Sequence, residues 1–340
     1  MTALQNPMVC GGAAPDFPAF HARWPWIGGD LQTVRNAFTY NAPSFGAYPA
    51  QRFSLPLNNG TGDQLWALLN RPTTDQGKPA IILVHGLTGS EDSQNITTSA
   101  AYHLRCGYPV LRLNLRGAGP SRPHCSGQYH AGRSADIKNA LGALPVELKA
   151  RGLLLVGVSL GGNVCLKFLG ENPATSGILA AATVCAPIDL KMAQQRIGAR
   201  RNRVYERHLL HDMKSDARNT AGAKRAEVER ILEAVRSVYD FDDKIVALNN
   251  GFADAEDYYQ QSSATGFLVS IMTPTLLLHA RNDPWVPAEM YLRRTYQQGG
   301  ALTLLMAPDG GHVGFHGRDH DMPWHDHCIG LFFESLLGRI

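Results

Sequence analysis

The sequence predicts an α/β fold with a mostly parallel, doubly wound sheet and one helical insertion. Short apolar runs rich in Val, Ile and Leu alternate with helix-like stretches, which is the pattern of repeated β-α-β units. Such runs are typical of strands buried on both faces of a sheet. The alternation breaks once, where residues 190–271 are charged and have a helical pattern. The apolar runs are residues 80–86, 108–117, 152–159, 177–187, 274–280 and 301–308.

Three further segments complete the predicted organisation around a core of residues 51–189 and 272–340. Residues 1–50, rich in Pro, Gly and aromatic residues, are expected to form an N-terminal arm that packs on the core. Residues 52–70 have turn residues in their middle and predict an antiparallel hairpin before the parallel strands. Residues 190–271 are too many for a simple connection and too polar for sheet core, so we interpret them as a cap over the strand ends.

The first half of the predicted cap is basic. A solvated helical face is the favoured interpretation, and peripheral contact with an anionic lipid surface is the alternative. The basic residues outnumber the acidic residues Glu206, Asp212 and Asp216, and they are Arg196, Arg200, Arg201, Arg203, Arg207, Arg218, Lys224 and Arg225.

The composition is that of an ordinary globular protein. The chain has 340 residues, 44% of them hydrophobic and 18% charged, which allows a sizeable core. A formal net charge of +3 is too small to indicate nucleic acid as the main partner. We find no apolar run of about 18 residues that would cross a bilayer. The N-terminus lacks the basic start and apolar stretch of a secretory signal, so we expect a cytoplasmic protein.

The cysteines indicate neither a metal site nor a redox site. None of them forms a CxxC pair, and we expect free thiols that are mostly buried. They are Cys10, Cys106, Cys125, Cys165, Cys185 and Cys328. The sequence therefore predicts no cofactor and no metal.

The strongest chemical signal is the motif G-x-S-x-G at residues 157–161. It lies between an apolar strand and the helix-like stretch 163–171, which is where a strand-to-helix turn can present a serine hydroxyl above the edge of the sheet. Small residues on both sides of the serine allow that tight turn. Ser159 is therefore the predicted nucleophile.

A serine hydroxyl needs a histidine to take its proton and an acid to orient that histidine. On this arrangement the partners follow the serine in the order acid, then histidine, on loops after later strands. Asp283 follows the run 274–280, and His312 follows the run 301–308 between glycines. Asp309 is the rival acid, but it lies close in sequence to His312, so Asp283 is favoured and Asp309 is interpreted as a turn residue.

The sequence also predicts an oxyanion hole. The segment H-G-x-x-G at 85–89 follows the first parallel strand and can present the backbone N–H of Leu87. The N–H of Leu160, directly after the nucleophile, supplies the second donor. His85 itself is interpreted as a structural, hydrogen-bonding residue rather than a second base.

These motifs together resemble the α/β-hydrolase superfamily and, more narrowly, its YheT-like branch. The resemblance spans most of the chain, and the matching segments occur in the family's order. They are WPWIGGDLQT (24–33), HGLTGS (85–90), LNLRGAGPS (113–121), YHAGRSADI (129–137), GVSLGGNVCLKFLGE (157–171), FDDKIVALNNGFADAEDYYQQSS (241–263) and GGHVGF (310–315).

The resemblance implies a serine esterase that acts on small-molecule acyl esters under a helical cap. Carried over by motif, its catalytic residues fall on Ser159, Asp283 and His312. The branch also resembles acylglycerol and phospholipid hydrolases and medium-chain ester synthases, so an acyltransferase that passes the acyl group to an alcohol is the alternative. The acyl chain length, the physiological substrate and the oligomeric state cannot be read from the sequence.

Several other interpretations carry less weight. Residues 316–321 and 211–216 each spell H-x-x-x-x-D, a pattern associated with acyltransferases of other families, and its occurring twice shows how easily it arises. A metal site from His316, His320, His325 and Asp321 would need a continuous helix or a fixed loop, and Gly317 and Pro323 interrupt a helix there. With His327, these histidines are expected to form a polar segment before a final helix at 328–337.

A non-catalytic binding protein would be expected to lack part of the triad, and here all three residue types are present. A peptidase or a carbon–carbon bond hydrolase could use the same residues, although nothing in the predicted cap indicates either substrate.

Overall fold

The computed structural model describes residues 6–12, 14–174, 177–219 and 225–338. Within these residues one sheet of nine strands has the order β1-β9-β8-β7-β6-β4-β5-β3-β2. The strands are β1 (Met8–Gly11), β2 (Ala50–Pro56), β3 (Gln64–Asn70), β4 (Ala80–Val84), β5 (Val110–Leu113), β6 (Leu153–Val158), β7 (Ile178–Val184), β8 (Thr275–Ala280) and β9 (Leu302–Ala307).

The six apolar runs form the parallel part of the sheet. Strands β4 to β9 pair in parallel, and β4, β5, β6 and β8 are buried along their whole length. Burial on both faces explains why these strands are continuously apolar rather than alternating. Because parallel strands all end at the same edge, the loops after β4, β6, β8 and β9 meet there. The predicted α/β fold is confirmed.

Antiparallel strands border the parallel core on both sides. The predicted hairpin is confirmed as β2 and β3, which pair from Ala50 with Asn70 to Pro56 with Gln64. At the opposite edge β1 pairs antiparallel with β9. The sequence pattern did not predict β1, because four residues are too few to show a period.

Helices cover both faces of the sheet. Helices α2 and α12 pack on one face, and α3 and α5 pack on the other. The helices outside the segment between β7 and β8 are α1 (Gly29–Thr39), α2 (Gln94–Arg105), α3 (Ser134–Ala143), α4 (Val146–Lys149), α5 (Leu160–Glu171), α11 (Glu289–Leu292) and α12 (Trp324–Leu337). No helix of the described residues is long and apolar enough to cross a membrane.

The segment between β7 and β8 is helical. It contains α6 (Leu190–Ile197), α7 (Arg203–Arg218), α8 (Arg225–Ala234), α9 (Val238–Phe241), a π-helical turn (Asp242–Ala247) and α10 (Ala255–Ser262). Its residues form a hydrophobic cluster of their own around Leu210, Met213, Leu232 and Phe241. The cap boundaries at 190 and 271 stay a prediction. Of the basic residues named above, Lys224 and the side chain of Arg225 lie outside the described part of the chain.

Candidate active site

Ser159 lies at the sharp turn between β6 and α5. Its φ of 52° and ψ of −123° place a non-glycine residue in a region that L-residues rarely occupy. The flanking glycines make the turn sterically possible. A Cβ on Gly157 would lie 2.6 Å from the Cα of Gly162, and one on Gly161 would lie 2.3 Å from the carbonyl oxygen of His85. The motif therefore has glycine at positions 157 and 161 because the neighbouring backbone leaves no room for a side chain there.

His312 connects the other two predicted residues. Its Nε2 lies 3.0 Å from Oγ of Ser159, and its Nδ1 lies 2.8 Å from Oδ2 of Asp283. An ionised carboxylate can only accept, so Nδ1 carries the hydrogen toward Asp283 and Nε2 is left to accept from the serine hydroxyl. The structure brings together the three side chains that the sequence predicts.

Asp283 is buried at the start of the loop after β8. Its Oδ1 accepts hydrogen bonds from the backbone N–H groups of Trp285 (2.8 Å) and Val286 (2.9 Å), which fix the carboxylate plane. Burial alone would raise the pKa of Asp283, but the charge and hydrogen bond of His312 outweigh that effect, and the pKa is lowered. Asp283 is therefore held as a carboxylate that faces the imidazole.

Helix α1 holds the backbone of His312. The N–H of His312 donates to Oγ1 of Thr33 in α1 at 2.8 Å. A Cβ on Gly311 would lie 2.3 Å from the carbonyl oxygen of Gly29, and Gly311 has a φ of +60°. The glycine beside His312 is required both by this close approach and by its backbone conformation. No sequence pattern indicates this contact, because the two segments are far apart along the chain.

Trp285 covers one face of the His312 imidazole. The two ring centroids are 4.6 Å apart and their planes are inclined by 26°, a stacked arrangement. Tyr205 of α7 contacts Trp285 edge-on with centroids 5.5 Å apart. An aromatic face against the imidazole restricts its rotation. Sequence reasoning missed this residue, although its position directly after Asp-Pro could have indicated it.

The predicted oxyanion donors line the same cavity as Ser159. Leu160 is the first residue of α5, where a backbone N–H has no partner within the helix. Leu87 lies in the loop after β4. His85 donates from Nδ1 to the carbonyl of Gly86 at 2.8 Å and accepts the N–H of Leu115 at Nε2 at 3.1 Å. Burial lowers the pKa of His85 to about 4, and its bonded ring nitrogens agree with its interpretation as a structural, hydrogen-bonding residue.

A cavity of about 830 Å³ opens in front of Ser159 and His312. Its volume is in the range that holds a small-molecule ligand. The walls come from three regions of the chain, namely the loops at the strand ends, α1, and the segment between β7 and β8. Apolar lining residues include Leu87, Leu160, Met213, Val238, Phe241 and Trp285.

One group of metal-capable atoms lies behind the site. In the described residues, Cys185, His279 and Asp283 each bring one ligand atom within 4.8 Å of the others, and all three are buried. The Asp283 carboxylate already accepts three hydrogen bonds, from His312 and from two backbone N–H groups. This bonding suits the orientation of a histidine, and we assign no metal to the group.

The expected polar segment of residues 316–327 is wrong in part. His316 and His325 are buried, and α12 begins at Trp324 rather than at residue 328. His325 contacts Phe315 with ring centroids 5.4 Å apart. His320 and Asp321 are exposed, so the residues of the considered metal site are divided between the core and the surface. The first residues of α12 are buried although they include His325 and Asp326, which is why the polar sequence pattern predicted a later start for the helix.

Asp309 does more than form a turn. Its Oδ2 accepts the N–H of Gly28 at 3.0 Å, and its Oδ1 accepts from the amide of Asn282 at 2.7 Å. Asp309 thereby joins the arm to the loops that carry Asp283 and His312. Of the two rival acids, Asp283 is the one that accepts the hydrogen bond from the imidazole of His312.

Comparison with known proteins places these features in a family. The sequence family described as the α/β hydrolase fold matches residues 79–319. The YheT protein of Escherichia coli strain K12, a proposed esterase, is 32% identical over 294 residues, which cover 84% of this chain and 85% of that protein. Monoacylglycerol lipase of Saccharomyces cerevisiae is 27% identical over 278 residues, which cover 78% of this chain and 61% of that protein.

Solved structures include chains with a similar fold. An esterase of Pyrococcus furiosus superposes with a TM-score of 0.59 at 17% identity and covers 88% of this chain and 94% of its own. A membrane phospholipase A superposes with a TM-score of 0.53 at 19% identity and covers 91% of this chain and 90% of its own. At these identities the likeness shows the fold.

Proposed function

This chain belongs to the α/β-hydrolase family and is a carboxylic ester hydrolase of the esterase and lipase type, and we propose that it works through an acyl-enzyme formed on Ser159. The observation that carries the proposal is the position of His312 between Ser159 and Asp283, at 3.0 and 2.8 Å. An imidazole with a carboxylate on one nitrogen and a hydroxyl on the other is a general base aimed at a nucleophile.

In the acylation step, Oγ of Ser159 bonds to the ester carbonyl carbon while its proton passes to Nε2 of His312. Asp283 stabilises the imidazolium that forms. The carbonyl oxygen becomes an oxyanion, which the N–H groups of Leu87 and Leu160 stabilise. The bond to the alcohol oxygen then breaks, and His312 returns the proton to the departing alcohol.

In the deacylation step, water replaces the alcohol. His312 takes a proton from the water as its oxygen bonds to the acyl carbon. The bond between that carbon and Oγ of Ser159 then breaks, His312 returns the proton to the serine, and the carboxylic acid leaves. If an alcohol enters in place of water, the same residues carry out acyl transfer and form a new ester.

The substrate that we propose is a short- to medium-chain or acylglycerol-type ester. The apolar walls of the cavity suit an acyl chain, and its volume of about 830 Å³ accommodates a chain together with a small alcohol. The similarity to the yeast monoacylglycerol lipase supports an acylglycerol-type ester.

A p-nitrophenyl ester series from acetate to palmitate tests the proposal on the wild type and on Ser159→Ala. We expect hydrolysis that peaks at one chain length and falls by at least about 10⁴-fold in kcat in the variant. Full activity in Ser159→Ala, or no hydrolysis of any ester by the wild type, would refute it. Added ethanol or glycerol separates the two outcomes of the second step, since a transferase gives mainly the new ester.

A further inference from the structure

Helix α1 presents its apolar side chains outward. Gln32 is fully buried, with its amide donating to the carbonyl of His316 and accepting the N–H of the same residue. Leu31, Val34 and Phe38 recur at the spacing of one helix face. Phe38 is 75% exposed and Leu31 is also exposed. A surface helix of a globular protein normally has the opposite arrangement, so this face requires an explanation.

The apolar face continues into the segment before α1. Trp24 is 81% exposed, and Ile27 is exposed as well. The ring of Trp26 stacks on Phe38 with centroids 6.3 Å apart. Exposed aromatic and aliphatic side chains therefore recur along one stretch of chain from Trp24 to Phe38, and the contact between Trp26 and Phe38 joins the segment before α1 to the helix.

This stretch borders the opening of the cavity. Val34 and Ala37 of α1 line the cavity from one side, and Val204 of α7 lines it from the other. Val204 is 77% exposed, so it lies at the mouth. Asp30 joins the two helices, because it accepts hydrogen bonds from Tyr205 at 3.0 Å and from Arg201 at 2.8 Å.

Exposed arginines lie at the N-terminal end of α7, beside Val204 in sequence, whereas α7 lines the cavity further along with Asp212 and Asp216. Arg200, Arg203 and Arg207 are exposed, and within the described residues they form no ion pair. The acid between them, Glu206, turns inward and accepts the N–H of Val238 at 3.2 Å. Exposed apolar and aromatic side chains together with exposed arginines are the composition of a surface that lies on an anionic bilayer.

We propose that these residues form a docking face for an anionic phospholipid bilayer, consisting of Trp24, Ile27, Leu31, Phe38, Arg200, Arg203 and Arg207. Docking would place the mouth of the cavity on the lipid, where an apolar ester can enter without crossing water. The proposal goes beyond the proposed chemistry, since bilayer binding does not require turnover. A second copy of the chain would bring no acidic side chain among these seven residues to match the arginines, whereas anionic headgroups would match them.

Sedimentation with lipid vesicles tests the proposal in the full chain carrying Ser159→Ala, so that substrate turnover plays no part. We expect binding to vesicles of equal phosphatidylglycerol and phosphatidylcholine, at least tenfold weaker binding to phosphatidylcholine alone, and weakening by salt. The double variant Leu31→Ser/Phe38→Ser and the double variant Arg203→Glu/Arg207→Glu should each weaken binding at least tenfold.

The matched control is Val269→Ser/Met272→Ser, which removes two exposed apolar side chains that do not line the cavity. Val269 is 92% exposed. We expect this variant to bind vesicles like the parent. Absence of vesicle binding, or an equal loss in the control variant, would overturn the docking face. The docking face would also be overturned if the chain does not bind vesicles and instead forms a dimer in solution that Leu31→Ser/Phe38→Ser dissociates.

Hydrolysis of a soluble p-nitrophenyl ester by the otherwise wild-type chain separates this proposal from the proposed function. The docking variants should keep that rate within about twofold, because their residues touch neither Ser159 nor its partners. If the docking variants lose vesicle binding but still hydrolyse the soluble ester, the docking face and the proposed chemistry are both supported. An inactive wild type that still binds vesicles would leave the docking face standing and refute the chemistry.

Discussion

Two adjoining segments of the chain use histidine in opposite ways. In the loop 310–315, His312 has both ring nitrogens bonded, one to Asp283 and the other to Ser159. At the start of α12, His325 is buried and neither ring nitrogen has a hydrogen-bond partner in the described structure. Its Nε2 lies 3.6 Å from Oδ1 of Asp326, which is too long for a hydrogen bond.

Burial by itself does not make a histidine a general base. Burial lowers the pKa of His325 to about 3 and keeps it neutral, with nothing to exchange a proton with. His312 is equally enclosed, but it lies between a carboxylate and a hydroxyl. The partners on the two nitrogens, and not the abundance of histidine in residues 312–327, define the candidate site.

The largest expected effect is the loss of activity when His312 is replaced by an apolar residue, compared with the same kind of replacement at His325. His312→Ala should lower kcat by about 10⁴- to 10⁶-fold, because the serine loses its base. His325→Leu should keep kcat within about twofold, because the ring contacts neither Ser159 nor its partners. Steady-state kinetics on the best p-nitrophenyl ester decide this, and comparable activity losses in the two variants would refute the distinction.

A second test compares the two acids that the sequence offers for His312. Asp283→Asn should lower kcat by about 10⁴-fold, because the amide can hold the imidazole in the wrong tautomer. Asp309→Asn should cost about tenfold or less, since its contacts with Gly28 and Asn282 support the loops from outside the reacting groups. Circular dichroism spectra should match the wild type in both. The assignment fails if Asp309→Asn is the more damaging change.

The smallest expected effect is on the pH dependence of the free energy of unfolding. The folded pKa of His325, about 3, lies below the unfolded value of about 6.5, so the unfolded chain takes up the proton first. The contribution of neutral His325 to the free energy of unfolding is fully present above pH 6.5 and is lost as pH falls. For one such histidine the loss is about 2 kcal/mol at pH 5. Urea unfolding at pH 7 and pH 5 should therefore show a smaller loss in His325→Leu.

Asp326 acts in the opposite direction, since burial raises its pKa to about 7. Its carboxyl is present in both proteins, so its contribution cancels in the comparison to first order. His103 and His316 are also buried with pKa values lowered to about 3, and they remain in both proteins as well. An identical pH dependence in wild type and variant would contradict the interpretation of His325 as a neutral buried residue.

The parallel strands were predictable because each is a local pattern. A strand buried on both faces must be continuously apolar, and the six runs lie within a few residues of β4 to β9. The turn around Ser159 was predictable for a similar reason, since only glycine tolerates the backbone contacts at positions 157 and 161. The strand β1 and the start of α12 were not, because neither has a distinctive local signal.

The fold class, the turn at Ser159 and the preference for Asp283 over Asp309 could be predicted from the sequence, because steric and hydrophobic requirements and the order of motifs along the chain are local signals. The distances that join His312 to Asp283, and the hydrogen bond between Thr33 and the His312 backbone, came from the tertiary structure. It also decided that Gln32 is buried while Phe38 is exposed. These outcomes depend on contacts between distant segments, which no short pattern encodes.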